Sequence, residues 1–259
     1  MIKGEMVTRV KPNKLTRRQE YRHNFKSLNP PHIWSPLEIT NLKAWFEAGL
    51  GVFKDQAMTI PATATNDHIR GWQDQSGNGN HLTQPTESQG PTLQLAALNG
   101  RNFLTFTTAA SQVLDSADLS PALTQPTTAW IVWKPIDIST YGFALDATTT
   151  SKRNTFLRNP ADVWDAYAGV ELKNITSDTN WNMHLILFNT TNSWIRMNGT
   201  TIDTGNVGTM QLGQIRVGAD SNSIRYLWGS IAEIGIVNAE LDATTIDKLE
   251  AYLQAKYGL

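Results

Sequence analysis

The chain has 259 residues, 40% of them hydrophobic and 17% charged, with nine tryptophans and no cysteine. That is enough apolar material for one large all-β domain or two small domains, and the lack of cysteine excludes disulfides, thiolate catalysis and zinc–cysteine sites. The net charge of −1 hides a split: residues 1–34 carry eight Lys/Arg against two Glu, while the rest carries 14 against 21.

In chain order, residues 1–34 read as a polar, basic arm. It is broken by Pro12, Pro30 and Pro31, and a short capped helix over its middle would present Leu15, Tyr21 and Phe25. The first residues, MIKGEMVTRVKPNK, are charged and have no apolar stretch. No secretory signal is therefore expected there, and with no run of eighteen apolar residues anywhere, no membrane partner. A globular part starts at Ser35-Pro36-Leu37-Glu38, a capping box with proline at the first helical position. The spacing predicts a helix over about 36–47, with Leu42, Trp45 and Phe46 inward.

Next comes WQDQSGNGNHLTQ, residues 72–84, where Ser, Gly and Asn supply the left-handed angles of consecutive turns. From about 100 to 237 short strands alternate with turns. They are predicted at 102–107, 128–134, 142–146, 154–158, 164–171, 181–189, 193–198, 213–219 and 227–237. Asn198-Gly199 is a tight-hairpin pair. A terminal helix is expected with Asp242 as its cap, Ile246, Leu249, Tyr252 and Leu253 on one face, and Gly258 as its stop.

Four segments then carry a resemblance: LKAWFEAGLGV, WQDQSGNGNHLTQ, PTLQLAALNGRNFLTF and YLWGSIAEIGIVNAELDATTIDKLEAYLQAKYGL, in that order. Together they resemble the concanavalin A-like lectin/glucanase superfamily in its laminin-G-like jelly-roll form, as found in tailed-phage virion proteins and bacterial surface proteins. The resemblance covers about residues 37–259. It implies an all-β fold, a two-sheet antiparallel jelly-roll sandwich at 35–259, with short flanking helices and the extended basic arm 1–34 outside it.

The motifs point away from catalysis. Jelly-roll glycosidases of the resembling superfamily carry Glu-x-Asp-x-x-Glu or Glu-x-Asp-x-Glu on one strand, and neither pattern is present. No predicted strand has acidic residues at i and i+2, the spacing that would pair two carboxylates for glycoside hydrolysis. Asp162 and Asp165 are three apart, at an expected turn. Glu233 lies within IAEIG and reads as a structural hydrogen-bonding residue. His184, inside an apolar strand, reads as packed, and His23, His32, His68 and His81 are scattered.

Calcium is the one cofactor the composition of 72–84 suggests. Asp74 is the only carboxylate between Arg70 and Glu87, so a calcium site is not supported, and the loop reads as structural. Sugar contact would use exposed aromatics, for which Trp164, Tyr167, Trp194 and Tyr226 are the candidates.

The arm has three readings. It is a free tail, a nucleic-acid contact, or a docking segment ordering on an acidic partner. Nucleic acid is disfavoured, because no base-reading fold accompanies the arm. The docking reading assigns Lys3, Arg9, Lys11, Lys14, Arg17, Arg18, Arg22 and Lys26, with Tyr21 and Phe25, to the partner. The expectation is a non-enzymatic phage virion structural protein, a capsid decoration, cement or accessory protein, at the particle surface. It would be fastened through residues 1–34 to another virion component such as the major capsid protein, and its jelly roll would give weak adhesion to a cell-surface glycan. A carbohydrate-binding lectin-like module of a tail or cell-surface protein is the alternative.

Overall fold

The computed structural model describes residues 33–137, 139–161, 163–173 and 176–259. The chain divides into two units, Met1–Trp34 and Ser35–Leu259. The arm residues named above, Lys3 to Lys26 with Tyr21 and Phe25, lie outside the described residues.

Ser35–Leu259 is an all-β sandwich of antiparallel strands closed by one helix. In order the strands are β1 Leu42–Glu47, β2 Val52–Phe53, β3 Gly71–Trp72, β4 Leu82–Thr83, β5 Thr92–Leu98, β6 Arg101–Phe106, β7 Leu114–Asp115, β8 Thr127–Pro135 and β9 Gly142–Leu145. They continue as β10 Thr155–Asn159, β11 Val163–Tyr167, β12 Glu171–Leu172, β13 Asn182–Phe188, β14 Ser193–Met197, β15 Thr200–Gly205, β16 Arg216–Val217 and β17 Gly229–Val237, followed by the helix α1, Ala243–Tyr257.

The large sheet runs β15-β14-β13-β8-β17-β6-β5, with β1 also paired to β17. Two smaller sheets, β12-β11-β10-β9 and β16-β7-β4-β3-β2, are joined by reciprocal backbone hydrogen bonds of 2.8 Å between Asp146 and Arg216. Phe46, Trp72, Phe106, Trp133, Phe156 and Trp164 belong to the shared core.

Local signals explain much of this. Asn198 and Gly199 have positive φ of 48° and 86° and turn β14 into β15, with Met197 opposite Thr200. The Asp242 carboxylate accepts from Thr245 N at 2.8 Å, and Gly258 in the left-handed region ends α1. The buried face of α1 contains Leu249 and Leu253, as predicted, and also Glu250, Lys256 and Tyr257.

The helix predicted over 36–47 is a correction. The Ser35 capping box forms, but it starts only a 3-10 turn, Pro36–Glu38. Asn41 then takes φ 63°, and residues 42–47 are the strand β1, which pairs with β17 from Leu42↔Val237 to Glu47↔Glu233. Both faces of β1 are covered, so Ala44 to Glu47 are all buried. A run buried on both sides has no period-two alternation, and the edge of β17 decides its conformation.

The 72–84 loop is structural. The Asp74 carboxylate is filled by four donors: Trp45 N (3.0 Å), Ser76 N (2.8 Å), Ser76 Oγ (2.8 Å) and Asn80 N (3.0 Å). Asn78 and Asn80 donate their amides to Leu42 O and Lys43 O, bracing the loop against β1.

Glu233 is structural too. It is fully buried at the contact of β1, β8, β17 and α1. Its Oε1 accepts from Trp45 Nε1 (2.9 Å) and, at 3.4 Å, from Trp130 Nε1. Its Oε2 accepts from Lys256 Nζ (2.6 Å) and Tyr257 Oη (2.7 Å). Lys256 also pairs with Glu47 at 2.7 Å. Burial lifts the Glu233 carboxyl above its usual range, and Lys256 opposes that shift. Gly235 faces Trp130 and is required there, because a Cβ would come within 2.0 Å of the indole.

Candidate functional site

The small sheet β12-β11-β10-β9 builds a concavity on its outer face. Strand alternation sends Phe156, Trp164 and Ala166 to the core, while Thr155, Leu157, Asp165 and Tyr167 line a depression of about 130 Å³ on the opposite face. Tyr141, Phe143, Arg153, Glu171 and Arg225 complete its walls. A second depression of about 560 Å³ adjoins it and shares Tyr141 and Arg225. Its other residues include Ser111, Ser139, Pro160, Ile224 and Tyr226.

The rim is held by buried charges. Asp146 accepts from Arg153 Nε (2.8 Å), Thr155 Oγ1 (2.9 Å), Ala147 N (2.8 Å) and Ser221 N (3.0 Å), and Arg153 Nη2 donates to its second oxygen. Burial lifts the Asp146 carboxyl, and Arg153 pulls it back down. The Asp220 carboxylate accepts from Ile224 N and Arg225 N, and Arg216 donates to Asp220 O and Ser223 Oγ. These bonds fix the loop that presents Arg225, whose guanidinium lies 4.0 Å from the centre of the Tyr141 ring. Arg153 lies 5.3 Å from the centre of Tyr167. Glu171 pairs with Lys173 at the edge.

Asp165, mid-strand on β11, stands apart. It is 2% exposed. Its Oδ2 accepts one hydrogen bond from Asn159 Nδ2 at 3.3 Å, and its Oδ1 has no partner. Burial pushes its pKa up to about 6, Asn159 opposes this, and Glu171 adds to the rise.

No protein-family model and no curated protein matches the chain. Solved structures do. Domain 4 of the extracellular arabinanase AbnA from Geobacillus stearothermophilus, in complex with arabinotriose, superposes with TM-score 0.54 at 11% identity, over 81% of this chain and 98% of that one. The binding domain of Paraclostridial Mosquitocidal Protein 1 gives 0.54 at 12% identity, over 81% and 52%. Trypanosoma rangeli sialidase in complex with sialic acid gives 0.53 at 9% identity, over 85% of this chain and 34% of that one. The chain therefore spans about a third of the sialidase. What is shared is the β-sandwich fold.

Of the aromatics predicted to meet a sugar, Tyr167 lines the first depression and Tyr226 the second. Trp164 does not reach either. At 1% exposure it packs 5.2 Å from Trp133 and 4.5 Å from His184, ring centre to ring centre, because β11 alternation puts it on the face opposite Tyr167. Trp194 is half-buried on β14 of the large sheet, paired with Thr204 and Leu187, and the fold does not bring it to this site. Sequence reasoning missed Tyr141, Arg153 and Arg225 and dismissed Asp165 as a turn residue. The available signal was a lone carboxylate inside the β-forming run VWDAY.

Proposed function

We propose that the sandwich is a non-enzymatic carbohydrate-binding module whose site is the depression on the outer face of the small sheet. The observation that carries this reading is a concave wall of aromatic side chains, with an incompletely bonded carboxylate in its floor and a fixed arginine on its rim. That combination supplies apolar ring surface together with the hydrogen-bond acceptors and donors that sugar hydroxyls need. A domain of the same fold was solved with arabinotriose, which makes neutral oligosaccharides the first probes. Membership of the concanavalin A-like superfamily is part of the same proposal. The non-enzymatic half is supported by the second carboxylate of the depression: Glu171 is engaged by Lys173, so it does not stand free as the partner Asp165 would need for hydrolysis.

In calorimetric titration a neutral trisaccharide is expected to bind. Tyr141→Ala should weaken that binding about tenfold, a change of about 1.4 kcal/mol, and Trp194→Ala should leave it unchanged. Equal losses in both variants would remove the site assignment. Shortened sugars appearing on chromatography after long incubation would remove the non-enzymatic reading.

The charge split supports a second reading, of the chain's setting. The basic arm 1–34 docks on an acidic partner of a virion, such as the major capsid protein, and displays the sandwich outward. Hydrogen exchange across residues 1–34 should then be fast in the isolated protein and slow in the particle. Equally fast exchange in both states would end the anchoring idea.

A further inference from the structure

Resting on the glycan reading of the same depression, we propose that Asp165 selects the ligand. Its ionised carboxylate accepts a hydrogen bond from a hydroxyl of an uncharged glycan, and Arg225 holds a neighbouring oxygen. Other buried aspartates of this fold are saturated with donors. Asp74 receives four hydrogen bonds, and Asp146 is surrounded by donors from Arg153, Thr155, Ala147 and Ser221. Asp165 is as buried as these, yet it has one long bond and an oxygen with no partner. An ionised carboxyl has about four acceptor positions, and leaving them unfilled in a buried site is unfavourable. Unlike Asp74 and Asp146, Asp165 forms part of the floor of an open depression. A ligand hydroxyl that reaches it, displacing the side chains that cover it, supplies the missing donor.

The neighbouring charges favour an uncharged ligand. Arg153 is neutralised by Asp146 and Glu171 by Lys173. The remaining charged groups lining the depression are Arg225, whose guanidinium lies over the Tyr141 ring, and Asp165 when ionised, and Tyr141 and Tyr167 complete the titratable set. A sugar carboxylate would lie beside Asp165 and be repelled.

The sign of the pH dependence follows from the carboxyl's pKa of about 6 in the empty site. A hydroxyl donor pairs with the ionised form, so affinity is full above that value. At pH 5 about one-tenth of the molecules are ionised, and affinity falls about tenfold.

The test titrates the full chain at pH 7.5 and pH 5.0 with arabinotriose, xylotriose and cellotriose, and with trigalacturonate as the acidic counterpart. The expected result is a neutral trisaccharide binding about tenfold more weakly at pH 5.0, with trigalacturonate weaker at pH 7.5. Asp165→Asn should bind at least tenfold more weakly at pH 7.5 and lose the pH step, whereas Arg225→Gln should weaken binding and keep it. Thermal unfolding checks that both variants fold, and the pH step of the native chain is decisive alone if Asp165→Asn does not. Flat affinity across pH, tighter binding at pH 5.0, or a preference for trigalacturonate would overturn the role of Asp165. Continued sensitivity to Tyr141→Ala would in that case leave the glycan site standing. No binding by any of the four sugars would overturn the glycan reading and this inference together.

Discussion

Replacing Glu233 with alanine is expected to destabilise the folded domain by about 3–5 kcal/mol, the range for removing one partner of a buried ion pair. The carboxylate accepts from Trp45 and Trp130 on one oxygen and from Lys256 and Tyr257 on the other. Alanine leaves two indole N–H groups and a hydroxyl without that acceptor in an interior where Glu233 itself is 0% exposed. Lys256 keeps Glu47, which limits the loss. Glu233→Gln retains an acceptor for the indoles and should cost less than alanine. Because the four donors come from β1, β8 and α1, the alanine variant should also loosen α1, seen as faster hydrogen exchange over Ala243–Tyr257. Denaturant unfolding at neutral pH followed by tryptophan fluorescence gives the free energy. A loss below about 1 kcal/mol would mean that water reaches the cluster, and the hub described here would be wrong.

His184 should make the domain acid-labile. Its ring is fully buried, and burial alone lowers its pKa from 6.5 to about 3. Trp133 Nε1 donates to its Nδ1 at 3.1 Å, so the proton of the neutral ring is on Nε2. The unfolded chain takes up a proton below pH 6.5, and the folded chain resists doing so until about pH 3. The contribution of this group is therefore complete above pH 6.5 and is lost as pH falls towards 3. The total is on the order of 5 kcal/mol. Asp165 acts in the opposite sense. Its folded pKa of about 6 lies above the ordinary 3.8, so protonation relieves a strain that is present at neutral pH. The native curve is thus a net effect, and the difference between native protein and His184→Gln isolates the histidine. Glutamine keeps an acceptor for Trp133 and does not titrate. The variant should be less stable than native at pH 7.5, and the gap should close steadily as the pH falls. Parallel curves of unfolding free energy from pH 7.5 to pH 4 would show that His184 takes up its proton as readily in the fold as in the unfolded chain, and the acid-lability assigned to it would be wrong.

Features that depend on a few adjacent residues were legible in the sequence. The Asn198-Gly199 hairpin, the Asp242 cap, the Gly258 stop and the turns of 72–84 follow from backbone angles and short side chains that act within one or two turns of chain. The strands β8, β13 and β17 were found from their length and their apolar, β-forming composition, because they are buried almost throughout and show no period-two alternation of burial. The resemblance of 37–259 to a jelly roll agrees with the all-β sandwich observed.

Tertiary structure alone decided the rest. Residues 42–47 became a strand because the edge of β17 lies beside them, although their local pattern suited a helix. Trp164 and Tyr167 are three apart on β11, and which one is buried depends on which face of the small sheet meets the core. Glu233 in IAEIG and Asp165 in VWDAY look alike as lone carboxylates in apolar strands. One is filled by partners as far as 188 positions away in sequence, while the other is left with an oxygen unpaired beneath a rim assembled from segments as distant as Tyr141 and Arg225. A carboxylate's role is set by the donors within about 3 Å, and in a sandwich of long-range strand pairs those donors come from strands that folding, not sequence proximity, brings together.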